Sequence, residues 1–199
     1  MKKLVYGVGF NDKTRPANVD GKKVKEYKLW RSMLNRCFSE KYQTCQPTYK
    51  GCNVSDNFLH YSFFYDWCQK QVGFGKVDEN GRYWQLDKDL LFVGNKTYSE
   101  TACVFVPHEI NSFFTDCGNA RGDNPVGVCF HKASGKYIAS CSAFGGKRKH
   151  LGLFDTPDEA FAVYKPFKEN LCKQLALKWQ SEIDERLFNT MMNWSVKDE

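Results

Sequence analysis

From Pro125 to about Trp179 the chain carries its clearest hydrophobic pattern. Val126, Val128 and Phe130 alternate with Gly127, Cys129 and His131. After a Ser134-Gly135 turn, Tyr137, Ala139 and Cys141 alternate with Ile138, Ser140 and Ser142. A period of two over such runs predicts two strands, each with one apolar face. Gly145-Gly146 supplies a second turn, and His150 to Phe154 reads as a third short strand. Asp155-Thr156-Pro157-Asp158-Glu159 then marks a helix start, with a side-chain oxygen for the cap, proline at the first helical position and acids at the positive end of the dipole. Phe161, Tyr164, Phe167, Leu171, Leu175, Trp179 and Ile183 follow along one side, with a kink or restart expected at Pro166. That stripe can cover one face of the sheet and leave the other free.

Upstream the pattern becomes helical and aromatic. Tyr27, Trp30, Met33, Leu34, Cys37 and Phe38 share a face of a helix beginning at Lys25, with Arg31 and Arg36 pointing elsewhere. Phe58, Tyr61, Phe64, Tyr65 and Cys68 predict a second helix, ending near Gly73, with His60 inside it. Gly73 to Tyr83 is a polar loop, and Trp84 to Asp89 emerges from it as a strand. Gly94-Asn95 turns the chain, and Tyr98 to Pro107 leads into a short segment ending at Asn111-Ser112-Phe113. Thr115 to Asn124, where Asp116, Gly118, Asn119, Gly122 and Asp123 break all periodicity, is the expected linker. The predicted class is α+β. Residues 1–114 form an N-terminal domain, 115–124 a linker, and 125–199 a sheet-and-helix domain with an extended C-terminal helix. Apolar surface left over on that helix can pack on the N-terminal domain or form a homodimer.

Charge sharpens the picture. The whole chain is only mildly basic, at +6, yet residues 121–150 hold six Lys or Arg against one acid, Asp123. Lys132 and Lys136 flank the first turn, and Lys147, Arg148, Lys149 and His150 follow the second. Outward positions hold His131, Ser140, Ser142, Arg148 and His150, which can donate to or accept from base edges, and the turns are where phosphates would be met if the sheet lay in a groove. Arg121 in the linker can follow a duplex backbone. The plainer reading is a basic face that only aids solubility. The first thirty residues carry eight Lys or Arg against three acids, a second basic surface that is either an arm on phosphate or a solvated strand. The longest apolar run falls well short of eighteen residues and Met1-Lys2-Lys3 opens no signal-peptide core, so no membrane and a cytoplasmic location are expected.

Nine cysteines in a chain of this length, odd in number and without a secretion signal, read as reduced thiols. Cys37, Cys45 and Cys52, with His60 or Cys68 as a fourth ligand, approach the spacing of a zinc site. The chain contains no Cys-x-x-Cys pair, and this weighs against zinc.

The run Gly127-Val128, Gly135-Lys136-Tyr137-Ile138-Ala139, Leu151-Gly152-Leu153-Phe154-Asp155-Thr156, Glu159-Ala160 and Ala162-Val163-Tyr164 resembles an AP2 domain. The resemblance implies a three-stranded antiparallel sheet on one helix, laid in the major groove of duplex DNA, with Cys129, His131, Ser140, Ser142, Arg148 and His150 facing the DNA. Plant members carry several arginines at the matching places, where this chain keeps one. Across Trp30 to Asn111 the chain resembles phage-type HNH endonucleases, through a tryptophan-rich helix, the Arg36-Cys37 pair, a Leu-Asp element and a Tyr-Ser element. Strand, loop, strand and short helix is the layout of their ββα-metal finger. The coupling of the two parts is typical of phage homing endonucleases, which places such a protein in a host cell's cytoplasm.

That resemblance implies DNA hydrolysis with Mg²⁺ at Asp87, with Asp89 on the same side of the strand and an amide oxygen from Asn95. Asp87, Lys88, Asp89 and His60 are the candidate catalytic side chains. Lys88 stands where many members have the general-base histidine, and Ala102 where many have a metal-binding asparagine. Lysine is a poor base near neutrality unless desolvated, and alanine cannot ligate metal. A strand-end pair making turn hydrogen bonds is the structural alternative for Asp87 and Asp89, and a packed or solvated ring is the alternative for His60. Two functions follow: an HNH-like endonuclease directed by an AP2-like module, or a catalytically inactive DNA-binding or host-protein-binding chain on the same scaffold.

Overall fold

Period-two and period-3.6 patterns along one chain produce a mixed α+β protein, with four small sheets among the described residues. The computed structural model describes residues 4–115, 124–143 and 146–197. Arg121, Gly145 and most of the expected linker lie outside them. The chain divides into two compact units, Met1–Asn111 with Glu182–Leu187, and Ser112–Ser181 with Phe188–Glu199. The short return of 182–187 to the first unit differs from a division into consecutive domains.

The first unit opens with a hairpin, β1 (Asn18–Val19) and β2 (Lys22–Lys23), and then α1 (Lys25–Phe38). Helix α1 buries Trp30, Met33, Leu34 and Cys37, as its spacing predicts. Short α2 (Glu40–Cys45) leads to β3 (Asn53–Val54), which pairs with β5 (Thr97–Tyr98). The aromatic stretch is two helices, α3 (Asp56–Leu59) and α4 (Tyr61–Gln69), broken at His60. The break comes from a distant residue. Phe10 donates its N–H to the Leu59 carbonyl and accepts from the Tyr61 N–H, both at 2.9 Å, as a one-residue strand beside His60. The Trp30 indole donates to the Phe58 carbonyl at 2.7 Å just before the break. Phe58 packs on Phe64 and Trp67, and Trp67 on Phe105, which joins these helices to the antiparallel pair β4 (Gln85–Asp87) and β6 (Val104–Val106). Helix α5 (His108–Phe114) follows, burying Ile110.

In the second unit β7 (Val128–His131), β8 (Lys136–Ser142) and β9 (Arg148–Phe154) form one antiparallel sheet in sequence order, with β9 beginning two residues earlier than its pattern suggests. Helix α6 (Pro157–Trp179) starts with a full capping box, in which the Thr156 side chain accepts the Glu159 N–H and the Glu159 carboxylate accepts the Thr156 N–H. It runs through Pro166 without a break, although proline removes one intrahelical donor. The helix stops at Trp179. Asp184 accepts the Arg186 N–H at 2.8 Å, and α7 (Glu185–Met192) begins there in place of a continuous C-terminal helix.

Helix α6 sets Ala160 on Val128 and Ala139, and Tyr164 and Leu171 beside Cys141. The approach at Gly127 is close: φ is +80° and an added Cβ would lie 2.1 Å from the Tyr164 ring. Gly135 has a similar φ, +67°, with nothing within 4 Å of an added Cβ. Gly127→Ala is therefore expected to cost about 2–4 kcal/mol from backbone strain plus overpacking, and Gly135→Ala about 1–2 kcal/mol from strain alone. Urea denaturation of both variants checks this, and equal losses would mean that α6 does not press on the sheet at Gly127.

Candidate functional site

Strand pairing decides which side chains share the sheet face opposite α6. His131 pairs with Lys136, Cys129 with Ile138, Ile138 with Leu153, Ser140 with His150 and Ser142 with Arg148. Tyr137 and Phe154, Ala139 and Gly152, and Cys141 and Lys149 form the other row, toward the helix. The register shifts between Ala139 and Ser140, because Gly152 pairs with one and His150 with the other, leaving Leu151 as an extra residue. Without that bulge the period of two would send Arg148 and His150 to the helix side along with Phe154 and Gly152. With it, Leu151 packs into the core and the two basic residues reach the free face.

The free face holds Cys129, His131, Lys136, Ser140 and Ser142 by alternation, and Arg148 and His150 by way of the bulge. They differ in availability. Ser140 is buried, and its Oγ accepts from Arg148 Nε at 2.9 Å, so it orients the guanidinium and offers little to a partner. The Lys136 ammonium pairs with Asp155 at 2.9 Å, and His131 Nδ1 lies 2.8 Å from Ser134 Oγ. Lys132 and Lys147 are exposed at the turns. Lys149 is exposed too, but it pairs with Cys141 in the helix-side row, with Nζ 4.9 Å from the Phe167 ring centroid. Ile138 and Leu153 complete the free face and are absent from a selection based on charge and hydrogen bonding. The alternation itself marks Ile138, and pairing with Ile138 places Leu153.

In the first unit, the loop after β4 brings Asp87, Lys88, Asp89 and Asn95 together. Asp87 Oδ1 accepts the N–H groups of Asp89 and Leu90, each at 2.9 Å. Buried Lys88 donates to Asp89 at 2.9 Å, with its ammonium 5.6 Å from the Tyr98 ring centroid. Asn95 donates to the Lys88 and Thr97 carbonyls at 2.6 and 2.7 Å, and its Oδ1 accepts the Thr97 N–H. Its amide thus holds the loop closed. His60 is elsewhere, exposed and edge-on to Phe10. It does not join Asp87 and Asp89 in a group of three that could hold a metal ion.

No family model, curated protein or solved structure matches this chain.

Burial, and then the nearby Asp89 charge, push the Asp87 carboxyl up to about 6 against the two backbone N–H groups that favour its ionised form. Burial pulls Lys88 down, but the hydrogen bond and charge of Asp89 outweigh it and the net shift is upward. Lys88 is therefore a fixed cation and not a base at neutral pH. Arg36, expected to point away from the packed face of α1, is half-buried and donates to the Tyr98 hydroxyl at 3.3 Å. Cys37, Cys52 and Cys68 are buried while Cys45 is exposed, and burial pushes the Cys37 thiol up to about 12. Among the described residues no three His, Cys, Asp or Glu side chains gather as a metal cage. Among them, too, no helix is long and apolar enough to cross a membrane.

The Asp87 shift sets a pH dependence. Because the folded state holds this proton more tightly than the unfolded chain, its contribution is fully present below the unfolded value of 3.8 and is lost as pH rises through about 6. Asp87→Asn keeps the acceptor for both N–H groups and removes the titration. The variant is expected to lose a fall in stability on the order of 2–3 kcal/mol between pH 4 and 7. Denaturant midpoints across that range check it, and parallel profiles for the two proteins would contradict it.

Proposed function

We propose that this chain binds duplex DNA through the free face of the β7–β8–β9 sheet, as a phage protein of the HNH–AP2 kind. The observation that carries this reading is the face itself. Its three strands contain no acidic residue, and the bulge after His150 turns Arg148 and His150 onto the same side as His131 and Lys136. Exposed Lys132 and Lys147 stand at the turns, where phosphates flank a groove. A three-stranded sheet, with strands about 4.8 Å apart, is roughly 10 Å across and fits a major groove about 12 Å wide.

Cleavage is the second reading, and one observation favours it: Asp87 and Asp89 lie close enough for the charge of one to raise the other. A divalent cation such as Mg²⁺ between them would relieve that repulsion. Against it stand a protonated Lys88 in place of a base and an Asn95 amide already committed to the loop. The function supported best is DNA binding without hydrolysis by this loop.

Two measurements test the pair of readings. Arg148→Ala or Lys147→Ala is expected to weaken binding to unrelated duplexes almost uniformly and to flatten the logarithmic salt dependence by roughly one unit of slope. Lys149→Ala, on the other row, is expected to leave the slope unchanged. A flattened slope for Lys149→Ala alone would move the interface off this face. Supercoiled plasmid incubated with Mg²⁺ or Mn²⁺ is expected to stay intact, and nicking that disappears in Asp87→Ala would establish the endonuclease instead.

A further inference from the structure

The centre of the free face is apolar. Cys129 pairs with Ile138 and Ile138 with Leu153, so these three side chains form one continuous row across all three strands. On one side of it lies the His131–Lys136 pair, and on the other the Ser140–His150 and Ser142–Arg148 pairs. Leu153 is 46% exposed, while Cys129 and Ile138 are half-buried. A leucine and an isoleucine in the middle of a cationic, hydrogen-bonding surface lie where DNA would seat most closely.

We propose that the Cys129–Ile138–Leu153 row reads thymine methyl groups in the major groove. This rests on the sheet being the DNA-binding face and adds the base chemistry to it. Among the groups a base pair presents in the major groove, the C5-methyl of thymine is the apolar one; the others are ring nitrogens, carbonyl oxygens and amines. Pressed against Ile138 and Leu153, those polar edges lose water with no partner to replace it, whereas a methyl loses nothing it needs. The hydrogen-bonding groups beside the row are partly committed already. Ser140 is covered by Arg148, which spends its Nε on Ser140. Lys136 is paired with Asp155. Discrimination by a forked arginine is thus reduced, and apolar contact at the centre takes a larger share.

The test is equilibrium competition of the full chain, by fluorescence anisotropy, on four duplexes: alternating dA-dT, the same with deoxyuridine for thymidine, alternating dG-dC, and the same with 5-methylcytosine. Removing the methyl is expected to weaken binding about fourfold for each methyl in contact, the worth of one buried carbon, and methylating cytosine is expected to tighten it by a similar factor. Leu153→Ser is expected to bring affinity for the thymidine duplex down to that for the deoxyuridine duplex, leaving the latter within twofold. Circular dichroism confirms that the variant folds; if it does not, the wild-type comparison alone decides. Equal affinity for thymidine and deoxyuridine duplexes overturns the methyl reading while DNA binding stands. No binding to any of the four overturns both.

Discussion

A strand has two sides, and a sheet of three strands with one helix can bury only one of them. That constraint organises the second unit. Helix α6 claims the row of Val128, Ala139 and Cys141, using the small side chain of Ala160 and the absence of one at Gly127 to come close. Everything in the alternate row is then left facing away from the helix, whatever its chemistry. Functional character follows from which residues occupy that row, and the occupants are cationic, hydroxylic and, at the centre, aliphatic.

The bulge at Leu151 shows how finely this depends on register. One extra residue converts Arg148 and His150 from core-side to free-side positions while retaining Leu151 for the core. Bulges are commonly placed where a side chain has to be re-aimed, and here the residues re-aimed are those best suited to a polyanion. In the first unit a comparable economy works in the other direction. Asp87, Lys88, Asp89 and Asn95 hydrogen-bond to one another and to the loop backbone, closing the loop as a clasp. The cost of that clasp is a raised Asp87, accepted because both neighbouring N–H groups are satisfied by it.

Local signals were the legible ones. The Thr156 to Glu159 box, the Ser134-Gly135 turn, the alternation of Tyr137 to Ser142 and the buried stripe of α1 all act over a few residues and can be read without knowing the rest of the chain. What escaped depends on partners far away in sequence. Phe10 splits the aromatic helix at His60 by hydrogen bonding to both sides of the break, and nothing near His60 announces it. Arg36 is drawn inward by Tyr98, sixty-two residues on. Arg148 and His150 reach the free face only through a pairing shift that no run of side chains encodes. Pro166, conversely, is a strong local signal for a restart, and α6 continues through it with buried residues on either side.

The most direct test of the central claim is backbone amide chemical-shift mapping of the full chain during titration with a short DNA duplex at low ionic strength. The account predicts the largest shifts at Cys129, His131, Ile138, Ser142, Arg148 and His150, with α6 amides nearly still. Large shifts along α6 with a silent sheet, or no shifts anywhere, would contradict it.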